Sequence, residues 1–225
     1  LQISLRVKHQ LLYTSKTDHM ELTYFDFGLG GRAFSIRCAL NHAGVDFKDN
    51  RLKFPDFQKL KAEGQFPTGV PVLKMADGRT FVQSLAILRY AGKLAGLYPE
   101  KPVDALACDM ICDTANELMA NAPQDSDQEK KKKGREEYAA GKMKAYMNIL
   151  SKAVEAGGGK YACGNDFSIA DLAILFVTSS IMGGNFDYIP ASYMDDYPLL
   201  KELDGIVKSH EVVTNWLAKV EASKL

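Results

Sequence analysis

An α/β domain followed by an all-α domain is the fold class this sequence predicts. Two observations predict it: strand and helix patterns alternate over 21–98, and every periodic segment beyond 99 reads as helix. Between them, over 96–103, Pro99 and Pro102 stand in a stretch without periodicity, which is the composition of an interdomain linker. The 225 residues are more than most single domains need and enough to bury a sizeable core.

Each element has its own signal. The β-branched and aromatic run over 21–26 predicts a strand, the turn Gly28-Leu29-Gly30-Gly31 ends it, and a helical pattern follows over 32–43. A second strand fits 45–52, a short helix 55–62, and then a loop reaches Thr68-Gly69-Val70-Pro71. Val72, Leu73 and Met75, the turn Asp77-Gly78 and a return over 80–82 make a hairpin. Ser84 suits a helix N-cap, with Leu85, Ile87, Leu88, Ala91 and Leu94 marking the apolar face of a helix ending near Gly96. The order is βαβαββα, and a right-handed first crossover makes it a four-stranded mixed sheet with helices on both faces.

Helices are predicted over 104–121, 128–156, 168–182, 199–208 and 212–222, separated by Pro123, Gly157-Gly158-Gly159, Gly183-Gly184 and Pro198. Ser168-Ile-Ala-Asp171 reads as a capping box with Asp in place of Glu, a structural cap. Residues 1–19 hold Arg6, Lys8 and Lys16 against a single acid, Asp18, and lack an apolar signal core. They read as a leader or disordered extension, an expression leader or read-through ending at Met20 rather than an organellar address. The expected division is 1–19, 20–98 and 99–225.

Composition narrows the function. With 46% hydrophobic residues and 28 basic side chains against 28 acidic ones, nothing global steers the chain toward nucleic acid or an anionic membrane. Glu129, Glu136 and Glu137 flank the run Lys130–Lys133 and no aromatic interleaves with it, so it reads as a solvated helix face. Cys38, Cys108, Cys112 and Cys163 form no CxxC pair, and His9, His19, His42 and His210 are scattered, so no metal site is predicted. A reducing, cytoplasmic setting fits the cysteines. No apolar stretch is long enough to span a bilayer.

The motifs are more specific. The βαβαββα arrangement is that of thioredoxin-like domains, and such a domain followed by a proline-containing linker and a helical domain resembles the cytosolic glutathione transferases. Leu22-Thr-Tyr-Phe25 is similar to the first-strand motif of the sigma class, and Gly31-Arg32-Ala33 with Ile36-Arg37 resembles its first helix start. Val70-Pro71 and Gln83-Ser84-Leu85-Ala86-Ile87 resemble the two glutathione-holding segments, and Phe167-Ser-Ile-Ala-Asp171 the cap of the helical domain. The resemblance runs nearly the whole chain after Met20. It implies a detoxifying transferase with glutathione as co-substrate, an apolar electrophile pocket in the helical domain, and a homodimer.

It also implies roles. A free thiol has a pKa of about 8.5, and a hydrogen bond to the thiolate lowers it, each unit being worth about 1.4 kcal/mol. On spacing alone Tyr24 reads as a half-buried strand aromatic; the resemblance makes it the catalytic donor to the glutathione sulfur. Arg32 is the second catalytic candidate, an exposed helix cation on spacing alone. Ser84, at a helix N-terminus whose free amides suit a carboxylate, and Gln83 would hold the γ-glutamyl end. Gly69, Val70 and Pro71 would present backbone to the cysteinyl residue, with Pro71 cis. Lys61 and Phe57 match positions near the glycyl carboxylate, although a solvated lysine and a core phenylalanine fit them too. Glu117 aligns with the carboxylate that reaches a dimer partner's glutathione, on a helix face also carrying Asp109 and Asp113.

This chain departs from the pattern in places. Its first turn is about two residues longer, Phe34 stands where glutamate is common, Phe57 replaces a tryptophan, and Glu117 an aspartate. The expected reaction is conjugation of glutathione to small electrophiles. The alternatives are a glutathione-dependent isomerase or peroxidase of the prostaglandin D synthase kind, with Ala120 where that synthase has a pocket tryptophan, and a non-enzymatic, crystallin-like scaffold. Dithiol chemistry is disfavoured because Phe25-Asp-Phe-Gly-Leu29 lacks a cysteine.

Overall fold

The structure, a computed structural model, describes residues 20–27 and 31–222. The expected leader over 1–19 and the Gly28-Leu29-Gly30 part of the first turn lie outside the described residues. The chain divides into two compact units, one ending at Ala95 and the other beginning at Gly96.

The first unit contains β1 (Met20–Phe25), α1 (Ala33–His42), β2 (Phe47–Leu52), α2 (Phe54–Ala62), β3 (Val72–Lys74), β4 (Thr80–Phe81) and α3 (Ser84–Ala95), in the order the sequence predicts. The sheet is mixed, ordered β2-β1-β3-β4, with β1 parallel to β2 and the other two pairs antiparallel. Strand alternation sorts β1: Met20, Leu22 and Tyr24 are buried while Glu21, Thr23 and Phe25 are partly exposed. Helix α1 buries every residue from Ala33 to Leu40 and packs against α3.

Strand β2 starts at Phe47, later than the pattern suggests, because the residues before it close α1. The Ala43, Gly44 and Val45 amides donate to the carbonyls of Ala39, Asn41 and Leu40 at 2.9, 3.0 and 3.1 Å, with Gly44 in the left-handed region at φ 68°. A buried ion pair joins the two elements: Arg37 Nε lies 2.9 Å from Asp49 Oδ1 with the arginine side chain wholly buried.

The second unit is helical: α4 (Pro102–Ala120), α5 (Gln128–Tyr138), α6 (Lys144–Gly157), α7 (Ile169–Met182), α8 (Pro198–Ser209) and α9 (Glu211–Ala222). Its centre is α7, which packs against α4 and α8. Helix α4 starts with Pro102 at its first position, where a missing N–H costs nothing. Two features correct the sequence reading. The single helix expected over 128–156 is interrupted by a π-helical turn, Ala139–Met143, whose Ala139 carbonyl accepts the Tyr193 hydroxyl at 2.9 Å. A 3₁₀ turn over Ala191–Asp196, unpredicted, supplies that tyrosine. Among the described residues no helix is long and apolar enough to cross a membrane.

The predicted cap of α7 is present and reaches further than its own helix. Asp171, wholly buried, accepts the Ser168 amide at 2.8 Å and the Ser168 hydroxyl at 3.0 Å on one oxygen, and the Ala162 amide at 2.7 Å on the other. The carboxylate thus ties the loop over 158–167 to the central helix.

Candidate active site

Strand register gathers most of the predicted residues at one end of the sheet. Thr23 pairs with Val72, and Leu73 with Phe81. Continuing both ladders sets Tyr24, Pro71 and Gln83 in one row across β1, β3 and the chain leaving β4. Neighbouring strands are about 4.8 Å apart, so such a row is about 10 Å across. The parallel strands β1 and β2 also end here, and α2, carrying Phe57 and Lys61, starts directly after β2. Ligands of open α/β sheets bind at such carboxyl ends.

Tyr24 extends the buried face of β1 and is 5% exposed. Its hydroxyl oxygen accepts the backbone N–H of Arg32 at 3.2 Å. Arg32 occupies the N-cap position of α1, where backbone amides lack partners within the helix. A hydroxyl has one proton and two lone pairs; with a lone pair engaged by the amide, its proton is directed elsewhere. Chained bonds of the form N–H···O–H···X also polarise one another. Phe27 and Phe25 ring this phenol at centroid distances of 6.1 and 5.4 Å.

The Val70–Pro71 bond is cis, as the resemblance implies, and Gly69 holds φ 87°. Gln83 and Ser84 correct one expectation. The Gln83 carbonyl accepts the Ile87 amide at 3.1 Å while its own φ is 75°, so Gln83 is the N-cap of α3 and Ser84 the first helical residue. A glutamine held in the left-handed region is strained backbone, and such strain concentrates at ligand-binding positions. The Ser84 amide belongs to the first helical turn, among the amides that lack helical acceptors.

Phe57 is packed inside an aromatic cluster with Phe25, Phe54 and Phe66 at 4.9, 6.5 and 6.3 Å, and Lys61 sets its ammonium 5.9 Å from the Phe57 ring centroid. Phe57 thereby has a packing role, and Lys61, itself exposed, rests over it. Glu117 belongs to the second unit, where its carboxylate accepts the Tyr146 hydroxyl at 3.0 Å.

Sequence reasoning missed an ion-pair chain beside the first turn. Arg51 on β2 lies 2.7 Å from Asp26 and 2.8 Å from Asp49, which in turn holds Arg37. This pins residue 26, just after the tyrosine strand. The charges alternating along β2 at Lys48, Asp49 and Arg51 were the available signal.

Three of the protein's own thiols, Cys38, Cys108 and Cys163, are held in the protonated form. Burial pushes the Cys38 thiol far up, the hydrogen bond with Cys112 leads in pushing Cys108 up to about 12, and the hydrogen bond with Cys108 leads in raising Cys163. Thiolate is the reactive form, and these three remain thiols at neutral pH.

Known proteins agree with this architecture. Residues 20–93 match the model for the glutathione S-transferase N-terminal domain, and residues 112–220 that for the glutathione S-transferase C-terminal domain. Glutathione S-transferase 1 of Ascaris suum is 31% identical over 209 residues, covering 88% of this chain and 95% of its own. The hematopoietic prostaglandin D synthase of Gallus gallus is 30% identical over 200 residues, covering 88% and 95%. The solved structure of the prostaglandin synthase D of Nilaparvata lugens superposes with a TM-score of 0.76 at 27% identity, covering 89% of this chain and 98% of that one. An α/β unit with this strand order, a helical second unit and both family matches in sequence lead to one assignment: the chain belongs to the glutathione S-transferases, enzymes whose co-substrate is glutathione.

Proposed function

We propose that this protein is a sigma-class transferase that ionises glutathione with Tyr24 and conjugates it to small apolar electrophiles. The observation that carries the reading is the Tyr24 hydroxyl, whose oxygen is already engaged by the Arg32 amide at 3.2 Å. Its proton is the donor that the glutathione sulfur receives. A hydrogen bond to a charged acceptor contributes about 1.5–3 kcal/mol, enough to lower the thiol by one to two units from about 8.5. The thiolate fraction near neutrality then rises from a few per cent to between about a quarter and three quarters.

The remaining contacts follow from chemistry. The γ-glutamyl carboxylate takes the amides at the start of α3 with Gln83 beside it, the cysteinyl backbone pairs with Val70 next to Gly69 and Pro71, and Lys61, seated on Phe57, meets the glycyl carboxylate. The Arg32 guanidinium adds positive charge near the sulfur. Glu117 serves the glutathione of a second copy.

A homodimer is part of this reading. Val103, Leu106 and Met110 are 70%, 69% and 44% exposed at helical spacing along α4, an apolar stripe that a second copy would cover. Leu106→Glu is expected to halve the native mass in size-exclusion with light scattering; a mass of one chain for the unmodified protein would reject the dimer. The four cysteines are free thiols, which supports a cytoplasmic setting.

The kinship with prostaglandin D synthases supports a second reading, isomerisation by the same thiolate. Turnover of a chloronitrobenzene against a prostaglandin endoperoxide separates the two. The first reading is tested by ultraviolet titration of enzyme-bound glutathione. The sulfur should ionise well below 8.5, Tyr24→Phe should return it toward 8.5, and kcat/KM at pH 6.5 should fall about 10- to 100-fold with glutathione affinity retained. An unchanged titration in Tyr24→Phe would reject Tyr24 as the activator.

A further inference from the structure

We propose that Gly31 is a positioning residue for Tyr24, its missing side chain being what lets the phenol reach the Arg32 amide at the head of α1. This rests on the reading of Tyr24 as the activator of glutathione. An ideal Cβ built on Gly31 would lie 2.6 Å from Tyr24 Cε1, 3.1 Å from the Tyr24 hydroxyl and 3.0 Å from Phe27 Cδ2. Real Cβ atoms do not approach an aromatic carbon so closely. Tyr24 is a rigid ring on a strand, buried and edged by Phe25 and Phe27, so it has no flexible end with which to yield.

The displacement would fall on the functional atom. The amide bond to the Tyr24 hydroxyl is 3.2 Å long, so a shift of half an ångström takes it outside hydrogen-bonding range. The phenol then loses the donor that holds its oxygen and turns its proton toward the ligand. Gly31 also has φ 79°, a conformation that any residue with a Cβ adopts at a cost. That cost must be separated from the contact, and this chain supplies the control. Gly78 has a similar φ of 84° in the β3–β4 turn, with nothing within 4 Å of a Cβ.

The experiment compares Gly31→Ala, Gly78→Ala, Tyr24→Phe and the Gly31→Ala/Tyr24→Phe double variant, reading the titration of bound glutathione and kcat/KM for a chloronitrobenzene against pH. Gly31→Ala is expected to raise the sulfur's ionisation midpoint and to lower kcat/KM at pH 6.5 about tenfold, leaving KM for glutathione within about twofold. Gly78→Ala should keep the unmodified pH profile. In the double variant Gly31→Ala should add little to Tyr24→Phe, since both act through one hydroxyl. If Gly31→Ala fails to fold, Arg32→Pro keeps φ near the −60° found at Arg32 but has no N–H. It should shift the profile relative to Arg32→Ala, which keeps the amide. An unmodified profile in Gly31→Ala, full independent losses in the double variant, or an equal shift in Gly78→Ala would overturn the positioning role. Should Tyr24→Phe alone retain the unmodified profile, it is the activator assignment that falls.

Discussion

Asp171→Ala is expected to destabilise the helical unit by about 3–5 kcal/mol. The substitution removes the acceptors of the Ala162 and Ser168 amides, 2.7 and 2.8 Å away, both buried where water does not replace them. Each buried donor left unsatisfied costs about 1–3 kcal/mol, and the lost cap of α7 adds to that. Asp171→Asn keeps one carbonyl oxygen and so one of the two amides, and should cost roughly half as much. Trp216, the single tryptophan and 5% exposed on α9, reports the unfolding of this unit by fluorescence in urea. A midpoint unchanged in Asp171→Ala would mean that the cap contributes nothing to stability.

Gly159→Ala should be comparably severe for a steric reason. A Cβ on Gly159 would lie 2.3 Å from the Gly164 carbonyl carbon and 2.4 Å from its oxygen, and backbone cannot rotate away as a side chain can. The 161–164 turn, closed by Tyr161 N–H to Gly164 O at 2.7 Å, must move as a body. That turn carries Ala162, the partner of Asp171, so both substitutions attack one anchor. A loss of about 3 kcal/mol or more is expected from the combination of clash and broken anchor. The double variant Asp171→Ala/Gly159→Ala should lose clearly less than the sum of the two. Full additivity in urea denaturation would show that the turn and the cap are independent.

Much of the fold was legible. The β-branched and aromatic run of β1, the turn pair Asp77-Gly78 and the prolines Pro99 and Pro102 around the start of α4 are local signals, and local signals survive without tertiary context. The α7 cap was legible as Ser168 and Asp171 at a fixed offset; that the same carboxylate also holds Ala162 was not, because the partner lies outside the capping pattern. The π turn at Ala139–Met143 escaped for a related reason. Its residues suit an uninterrupted helix, and the extra residue is matched by a tyrosine 54 positions away. At the site, Tyr24, Pro71 and Gln83 were readable as types in order. Ser84 was misread as the cap because a serine has the better capping side chain, whereas the chain geometry gives that position to Gln83.

What the sequence alone determined, then, is the order of elements, the two-part architecture and the residue types from which the proposed glutathione site is built. Only tertiary structure decided how Tyr24 is held. A glycine seven positions from a tyrosine is an ordinary turn residue in the sequence. In the fold it is the gap through which a phenol meets a helix amide, because packing distance, unlike periodicity, is a property of surfaces that the chain brings together only when folded.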